Sequence, residues 1–281
     1  MRDMKNRIPF LDRAASIFSR LLSLLYVPKC IICEDTKWEN GELCPACLKM
    51  WEGAKRMRCP VCKKTARSCS CRPILLSADT KMGEKYLTAL SFYGKADSVD
   101  ERDLFVRRAV KILKTSPDRR IVTFVARELS AEILRQLIKA GEKPEAWRLC
   151  NPPGTRRRIR KYGFDQGAEL VRLISGYTGI KEERVFVRTG NEVQKSLGVL
   201  GRKKNAESSL SLKDGAKVVG KKYIIADDII TTGATVNASA ELLLRAGAEA
   251  VYPVCFAKTC RRKRKLRRKP AEALWFSRVV Q

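Results

Sequence analysis

Apolar and polar positions change their period several times along this chain, and each change marks an element. Near the start, Phe10, Leu11, Ala14, Ile17, Phe18, Leu21, Leu22 and Leu25 recur at helical spacing. Asp12, Arg13 and Arg20 interrupt that stripe, and its longest uncharged run is eight residues, far short of the roughly 20 a membrane-spanning helix needs. An amphipathic helix over residues 1–28, docked on the protein, is expected, with a membrane-surface helix as the alternative. No unbroken apolar run suits a signal peptide. Further on, "YLTALSFYGK" reads as a strand or hairpin edge near Tyr86 to Tyr93. "DERDLFVRRAVKILK" places Leu104, Phe105, Ala109, Ile112 and Leu113 on one helical face, and "IVTFVARELSAEILRQLIKAG" is a second helix stopped by Gly141. "AWRLCNPP" is a strand running into a loop, and "FDQGAELVRLISGYTG" is another helix. "YIIADD" is a strand, "TVNASAELLLRAGA" a helix ending at Gly247, and "AVYPVCFA" a further strand, for which Pro253 indicates an edge position or different boundaries. Strands alternating with helices predict an α/β fold, a mostly parallel sheet flanked by helices on both faces.

Composition changes this picture in two ways. The 281 residues, 44% of them apolar, suffice for one α/β domain and something smaller. Lys and Arg number 58 against 30 Asp and Glu, a formal charge of +28, so polyanionic partners such as nucleic acid or phosphorylated metabolites are indicated. No histidine occurs. Histidine general-base catalysis, Ser-His triads and histidine metal ligands are therefore excluded together.

Eight of the eleven cysteines fall between positions 30 and 71. They are spaced as Cys30-x2-Cys33, Cys44-x2-Cys47, Cys59-x2-Cys62 and Cys69-x-Cys71. Thiolates two residues apart grip one Zn²⁺ from a tight knuckle, and two such knuckles complete a tetrahedron. The segment has too few large apolar side chains to fold by burial alone, so metal would supply the missing folding free energy. A disulfide framework is the alternative, and it requires an oxidising compartment. The spacing points to two closed, structural zinc sites over residues 29–75. In sequential pairing, preferred here to an interleaved cross-brace, Cys30, Cys33, Cys44 and Cys47 would hold one ion, and Cys59, Cys62, Cys69 and Cys71 the other. Cys150, Cys255 and Cys260 read as packed thiols.

The stretch "YIIADDIITTGAT" raises the sharpest chemical question, because buried strands rarely end in paired negative charge. Ligands of open α/β sheets bind beyond the carboxyl ends of the strands, which is where Asp227 and Asp228 arrive. The helix that follows, opening at about Thr235, presents backbone N–H groups to an anion, and Gly233 allows close approach. Thr231, Thr232 and Thr235 add hydroxyl donors. Carboxylates beside a phosphate cradle suit a ribose 5-phosphate. Helix capping alone would account for a single Asp.

"IIADDIITTGAT" resembles the phosphoribosyl pyrophosphate (PRPP) motif of type I phosphoribosyltransferases. "NPPGTRRRIRKYGFDQGAELVRLI" and "VQKSLGVLGRKKNAE", with the cysteine cluster, resemble the ComF family. This family joins a double zinc ribbon to a type I phosphoribosyltransferase-like domain, and the likeness covers residues from about 25 to 259. It implies such a domain over residues 82–259 and a basic tail over 260–281. It implies that Asp227 and Asp228 hold the ribose hydroxyls and neutralise charge developing on the ring. Thr231, Thr232, Gly233, Ala234 and Thr235 would hold the 5-phosphate, and Pro153, Gly154, Thr155 and Arg156 the pyrophosphate, with Mg²⁺ as cofactor. Gly163, Phe164, Asp165 and Gln166 match the family's Gly-Phe-Asn-Gln, and Gln194, Arg202 and Asn205 its later motif. The chain departs from the pattern at Lys161-Tyr162, where an Arg is usual, at Asp165, where the amide becomes a carboxylate, and at Gly154-Thr155, where a His is common.

Two functions follow. One is PRPP binding with Mg²⁺ in a cytoplasmic protein linked to DNA uptake, alongside competence or helicase proteins. Single-stranded DNA would meet its basic surface and "KTCRRKRKLRRK", nine basic residues in twelve. The alternative is an enzyme that transfers ribose 5-phosphate to a nucleobase-like acceptor. That chemistry needs support for a leaving pyrophosphate rather than a side-chain nucleophile, and the five basic residues of "RRRIRK" stand beside the expected pyrophosphate loop.

Overall fold

The computed structural model describes residues 29–35, 42–69, 71, 88–94, 101–116, 118–188 and 209–259. The expected helix over 1–28, the basic tail over 260–281, Cys260 and the later motif residues Gln194, Arg202 and Asn205 lie outside them.

Strands β1 (Thr88–Tyr93), β2 (Trp147–Cys150), β3 (Lys181–Glu182), β6 (Lys222–Ile230) and β7 (Ala250–Thr259) form one sheet in the order β1-β7-β6-β2-β3. Every pairing in it is parallel. Strands β4 (Phe186–Arg188) and β5 (Leu210–Leu212) form a separate antiparallel pair. The helices are α1 (Pro45–Arg56), α2 (Glu101–Thr115), α3 (Arg120–Ala140), α4 (Arg156–Tyr162), α5 (Gln166–Thr178) and α6 (Ala234–Arg245).

The run "YIIA" reads as continuously apolar because β6 is covered on both faces. Ile224 and Ala226 enter a core with Phe105 of α2, Phe124 of α3 and Ile174 of α5. Tyr223 and Ile225 enter another with Ala240 and Leu243 of α6. Gly141 ends α3 with φ 68°, and its N–H reaches back to the Ile138 carbonyl, as the helix stop in the sequence indicates.

Two expectations are corrected. β7 is an interior strand between β1 and β6, not an edge. Pro253 is tolerated because it pairs with Ile225 on one side, while the β1 ladder begins one residue later, at Val254. The edges are β1 and β3, and β1 joins the sheet in parallel rather than through a hairpin. The buried face of α2 is also rotated from the expected one. Phe105, Val106, Ala109, Val110 and Leu113 are buried, whereas Leu104 is 44% exposed. The turn is taken up by Asp103, which is buried and accepts from the Gly94 N–H at 2.9 Å and from Arg107 at 2.7 Å. A charge so paired can occupy a core position that an unpaired one could not.

The cysteine segment is built onto the sheet domain. Trp51 of α1 stacks on Phe105 (5.6 Å between centroids) and on Phe256 of β7 (4.9 Å), and meets Phe124 edge-on. It is fully buried.

Candidate functional site

β6 carries Asp227 and Asp228 to its carboxyl end, between β7 and β2. The ladder with β7 runs through Asp227 opposite Cys255 and resumes at Ile229 opposite Ala257. In the gap, the carboxylates serve the backbone. Asp227 Oδ1 accepts the Asp228 N–H at 2.8 Å, and Asp228 Oδ1 accepts the Ile229 N–H at 2.6 Å. One oxygen of each remains for other partners. Burial, reinforced by the neighbouring charge of Asp228, raises the Asp227 carboxyl well above the usual range. Lys114, at the end of α2, approaches Asp228 Oδ2 at 3.9 Å.

Beyond β6 the chain turns through Thr231 and Thr232 to Gly233, whose φ of 78° admits a residue without a side chain most readily. Gly233 is the N-cap of α6 and offers no capping side chain, while the Ala234 N–H reaches Thr232 Oγ1 at 3.4 Å. Its first turn thus presents amide donors at a dipole end that favours an anion. The helix opens at Ala234, one residue earlier than expected.

Across the cleft, β2 delivers the Asn151–Thr155 loop. Asp165 organises it. Its Oδ1 accepts the N–H groups of Gly167 and Ala168, capping α5, while Oδ2 accepts the Gly154 N–H at 3.1 Å. An amide at this position has one acceptor oxygen and could not serve both sides. The departure from the family's Asn therefore has a structural role. A Cβ added at Gly167 would lie 2.6 Å from the Asn151 side-chain nitrogen, so the loop and the helix start are in tight contact. "RRRIRK" forms the short helix α4 rather than a loop, and Arg156 is its exposed first residue.

The cleft is lined by Leu113, Pro152, Gly154, Phe164, Asp165 and Gln166 together with Asp227 and Asp228. The structure thus brings together the acidic pair, the Gly154 loop and the Gly-Phe-Asp-Gln segment. Pro153, Thr155, Arg156, Gly163 and the expected phosphate loop, Thr231, Thr232, Gly233, Ala234 and Thr235, are not among its lining residues. Two further cations were not legible in the sequence. Lys114 is one of many lysines on an amphipathic helix. Arg188, in β4, donates from Nε to the Pro153 carbonyl and from Nη1 to Ser209 Oγ, both at 3.1 Å, and the charges of Asp165 and Asp227 act on it.

The cysteines gather in two sequential sets, Cys30/33/44/47 and Cys59/62/69/71, each with its sulfurs within 4.8 Å of one another. Tetrahedral zinc at 2.3 Å from each sulfur would separate them by about 3.8 Å, so both sets fit the ion. Backbone N–H groups already point at sulfur, from Cys44 to Cys30, from Cys47 to Cys44 and from Val61 to Cys59, each at 3.4 Å. Such bonds orient and stabilise thiolate ligands. Cys150 and Cys255 are buried in β2 and β7, where burial raises both thiols, as befits packed residues. Among the described residues, no helix is long and apolar enough to cross a membrane.

Residues 164–278, which include β6 with its carboxylate pair and the helix that follows it, match the family model described as a phosphoribosyl transferase domain. The ComF resemblance holds as well. The chain is homologous to the competence protein ComFC of Streptococcus pneumoniae, 27% identical over 79% of this chain and 96% of that one, and its cysteine sets fit a double zinc ribbon. It is also 32% identical to the DNA utilization protein YhgH of Escherichia coli K12, over 52% of this chain. That match spans 64% of YhgH, just under two thirds of its length. A hypoxanthine phosphoribosyltransferase structure from Staphylococcus aureus aligns at 13% identity over 49% of this chain and 62% of that one, with a TM-score of 0.32, too loosely to bear on residue roles.

Proposed function

We propose that this protein binds PRPP with Mg²⁺ at the end of β6 and works in DNA uptake or handling in the cytoplasm. The observation that carries the reading is the juxtaposition, over a few residues of one chain, of two half-buried carboxylates and a helix start whose N-cap is a glycine. Asp227 and Asp228 would take the ribose hydroxyls, and Thr231–Thr235 the 5-phosphate. The Gly154 loop faces them across the cleft, where the pyrophosphate would lie, with Arg188 behind it. Carboxylate and phosphate oxygens are the hard donors Mg²⁺ prefers. The ion, when bound, would neutralise charge on the diphosphate.

The relatives are named for DNA utilization and competence. The charge of +28 supports the same direction, since phosphate neutralisation gives salt-sensitive, sequence-independent binding. Calorimetry with PRPP and Mg²⁺ tests the site. Native protein should release heat on binding, and Asp228→Ala should weaken binding about 10- to 100-fold, the loss of a charge-assisted hydrogen bond. No heat at millimolar PRPP would end this reading. Pyrophosphate release that requires a nucleobase acceptor would instead make the protein a transferase. Retention of single-stranded DNA that weakens with salt, and weakens further on deleting residues 260–281, is the expected sign of the DNA role.

A further inference from the structure

Lys258, near the end of β7, is 1% exposed, and its Nζ donates to the Cys69 carbonyl at 2.8 Å. Among the described residues no carboxylate lies within ion-pair distance of it. A buried ammonium without a counter-charge is costly. The Phe92 ring, 6.0 Å away, offers only a weak attraction at that range. The second cysteine set lies directly alongside. Four thiolates around one Zn²⁺ leave a net negative centre, a counter-charge that no described carboxylate gives this lysine.

The same strand end touches the phosphate loop. Lys258 pairs with Ile230, the last residue of β6. The next residue, Thr259, donates its hydroxyl to the Thr231 carbonyl at 2.6 Å. Ile230 and Val236, which bracket the loop, share one buried cluster with Cys59, Ala66 and Cys69. The first cysteine set belongs to a different cluster, around Trp51. The two sets therefore have different neighbours, and only the second adjoins the loop.

We propose that the second cysteine set, loaded with zinc, braces the phosphate loop. The tetrathiolate centre balances the charge of Lys258, and Lys258 and Thr259 hold Thr231–Thr235 in the shape that receives an anion. Lys258 is thus a positioning residue, and sugar-phosphate binding depends on metal at a site that touches no ligand. The ligand part rests on the PRPP reading above, and the brace rests on these contacts alone.

The test uses full-length, zinc-loaded protein and three variants, Lys258→Met, Thr259→Val and Cys71→Ser. Three quantities are measured: zinc per chain, amide hydrogen exchange across residues 231–235, and PRPP affinity. Cys71→Ser should lose one zinc, and Lys258→Met should release one zinc to a chelator faster than native protein. All three variants should exchange the loop amides roughly tenfold faster and bind PRPP roughly tenfold more weakly, the scale of a lost charged hydrogen bond, while α5 amides exchange as in native protein. Loop exchange at the native rate in Thr259→Val and in Cys71→Ser would overturn the brace. Should Lys258→Met fail to fold, Thr259→Val decides, since it leaves every cysteine contact in place. Should native protein bind no PRPP, the site reading falls, and loop exchange still decides the brace.

Discussion

Asp227 holds its proton to higher pH than a solvated aspartate does, because burial and the adjacent Asp228 both oppose its charge. The folded state therefore keeps a proton that the unfolded chain gives up in the ordinary carboxylate range. This group contributes stability that is fully present below that range and is lost as pH rises through its raised value. Asp227→Asn retains the acceptor for the Asp228 N–H and removes the repulsion. It should be more stable than native protein near neutral pH and lose that advantage near about pH 4, where the unfolded carboxyl titrates. Denaturant midpoints at the two pH values check this, and an equal effect at both would exclude the explanation. A gain in stability here would come with a loss of PRPP binding, the usual exchange at a functional site. Asp165 poses the opposite case, a carboxylate fully used by amide donors. Asp165→Asn should cost about 1–2 kcal/mol by setting an amide N–H₂ against a backbone N–H. A thermal melt unchanged from native would show that one oxygen suffices.

At the scale of elements, the proposed phosphate site rests on the start of α6. Gly233 makes the turn at φ 78° and offers no capping side chain, while Thr232 Oγ1 accepts the Ala234 N–H at 3.4 Å. Gly233→Ala should cost roughly 1 kcal/mol in stability from the left-handed backbone alone. It should weaken PRPP binding by more than that stability loss accounts for, since the added methyl stands where the chain approaches the phosphate. Parallel measurement of unfolding and PRPP titration separates the two, and an unaltered affinity would mean the loop does not face the anion. The opposite device serves α5, whose start is capped by Asp165 and so closed to ligands. The start of α5 is held by a carboxylate and that of α6 only by the longer Thr232 contact, which is why the proposed reading places the anion at α6.

Across the whole molecule, the cysteine segment and the sheet share one core. Trp51 lies among Phe105, Phe124 and Phe256, contributed by α2, α3 and β7. Trp51→Ala should destabilise the protein by about 3–5 kcal/mol, the cost of an unfilled aromatic site. Unfolding should remain a single transition, because the two parts have no separate interiors to melt apart. A variant whose sheet domain melts as in native protein would show that the cysteine segment is an appendage.

The alternating elements, the two sequential cysteine sets and the acid–threonine loop were all legible in the sequence, because each is a local pattern. Period, spacing and adjacency suffice to state them. Pro253 misled for the same reason. A missing N–H is local, whereas the tolerance for it depends on where β1 begins to pair. Leu104 misled because periodicity does not foresee Asp103 being buried through partners at Gly94 and Arg107. The roles of Lys114, Arg188 and Lys258 depend on contacts with Asp228, Pro153 and Cys69, which lie 114, 35 and 189 residues away. A lone cation in a chain this basic has no local mark. Only the packing of the sheet decided which positive charges stand near Asp228 and the Pro153 loop and which one stands against the second cysteine set.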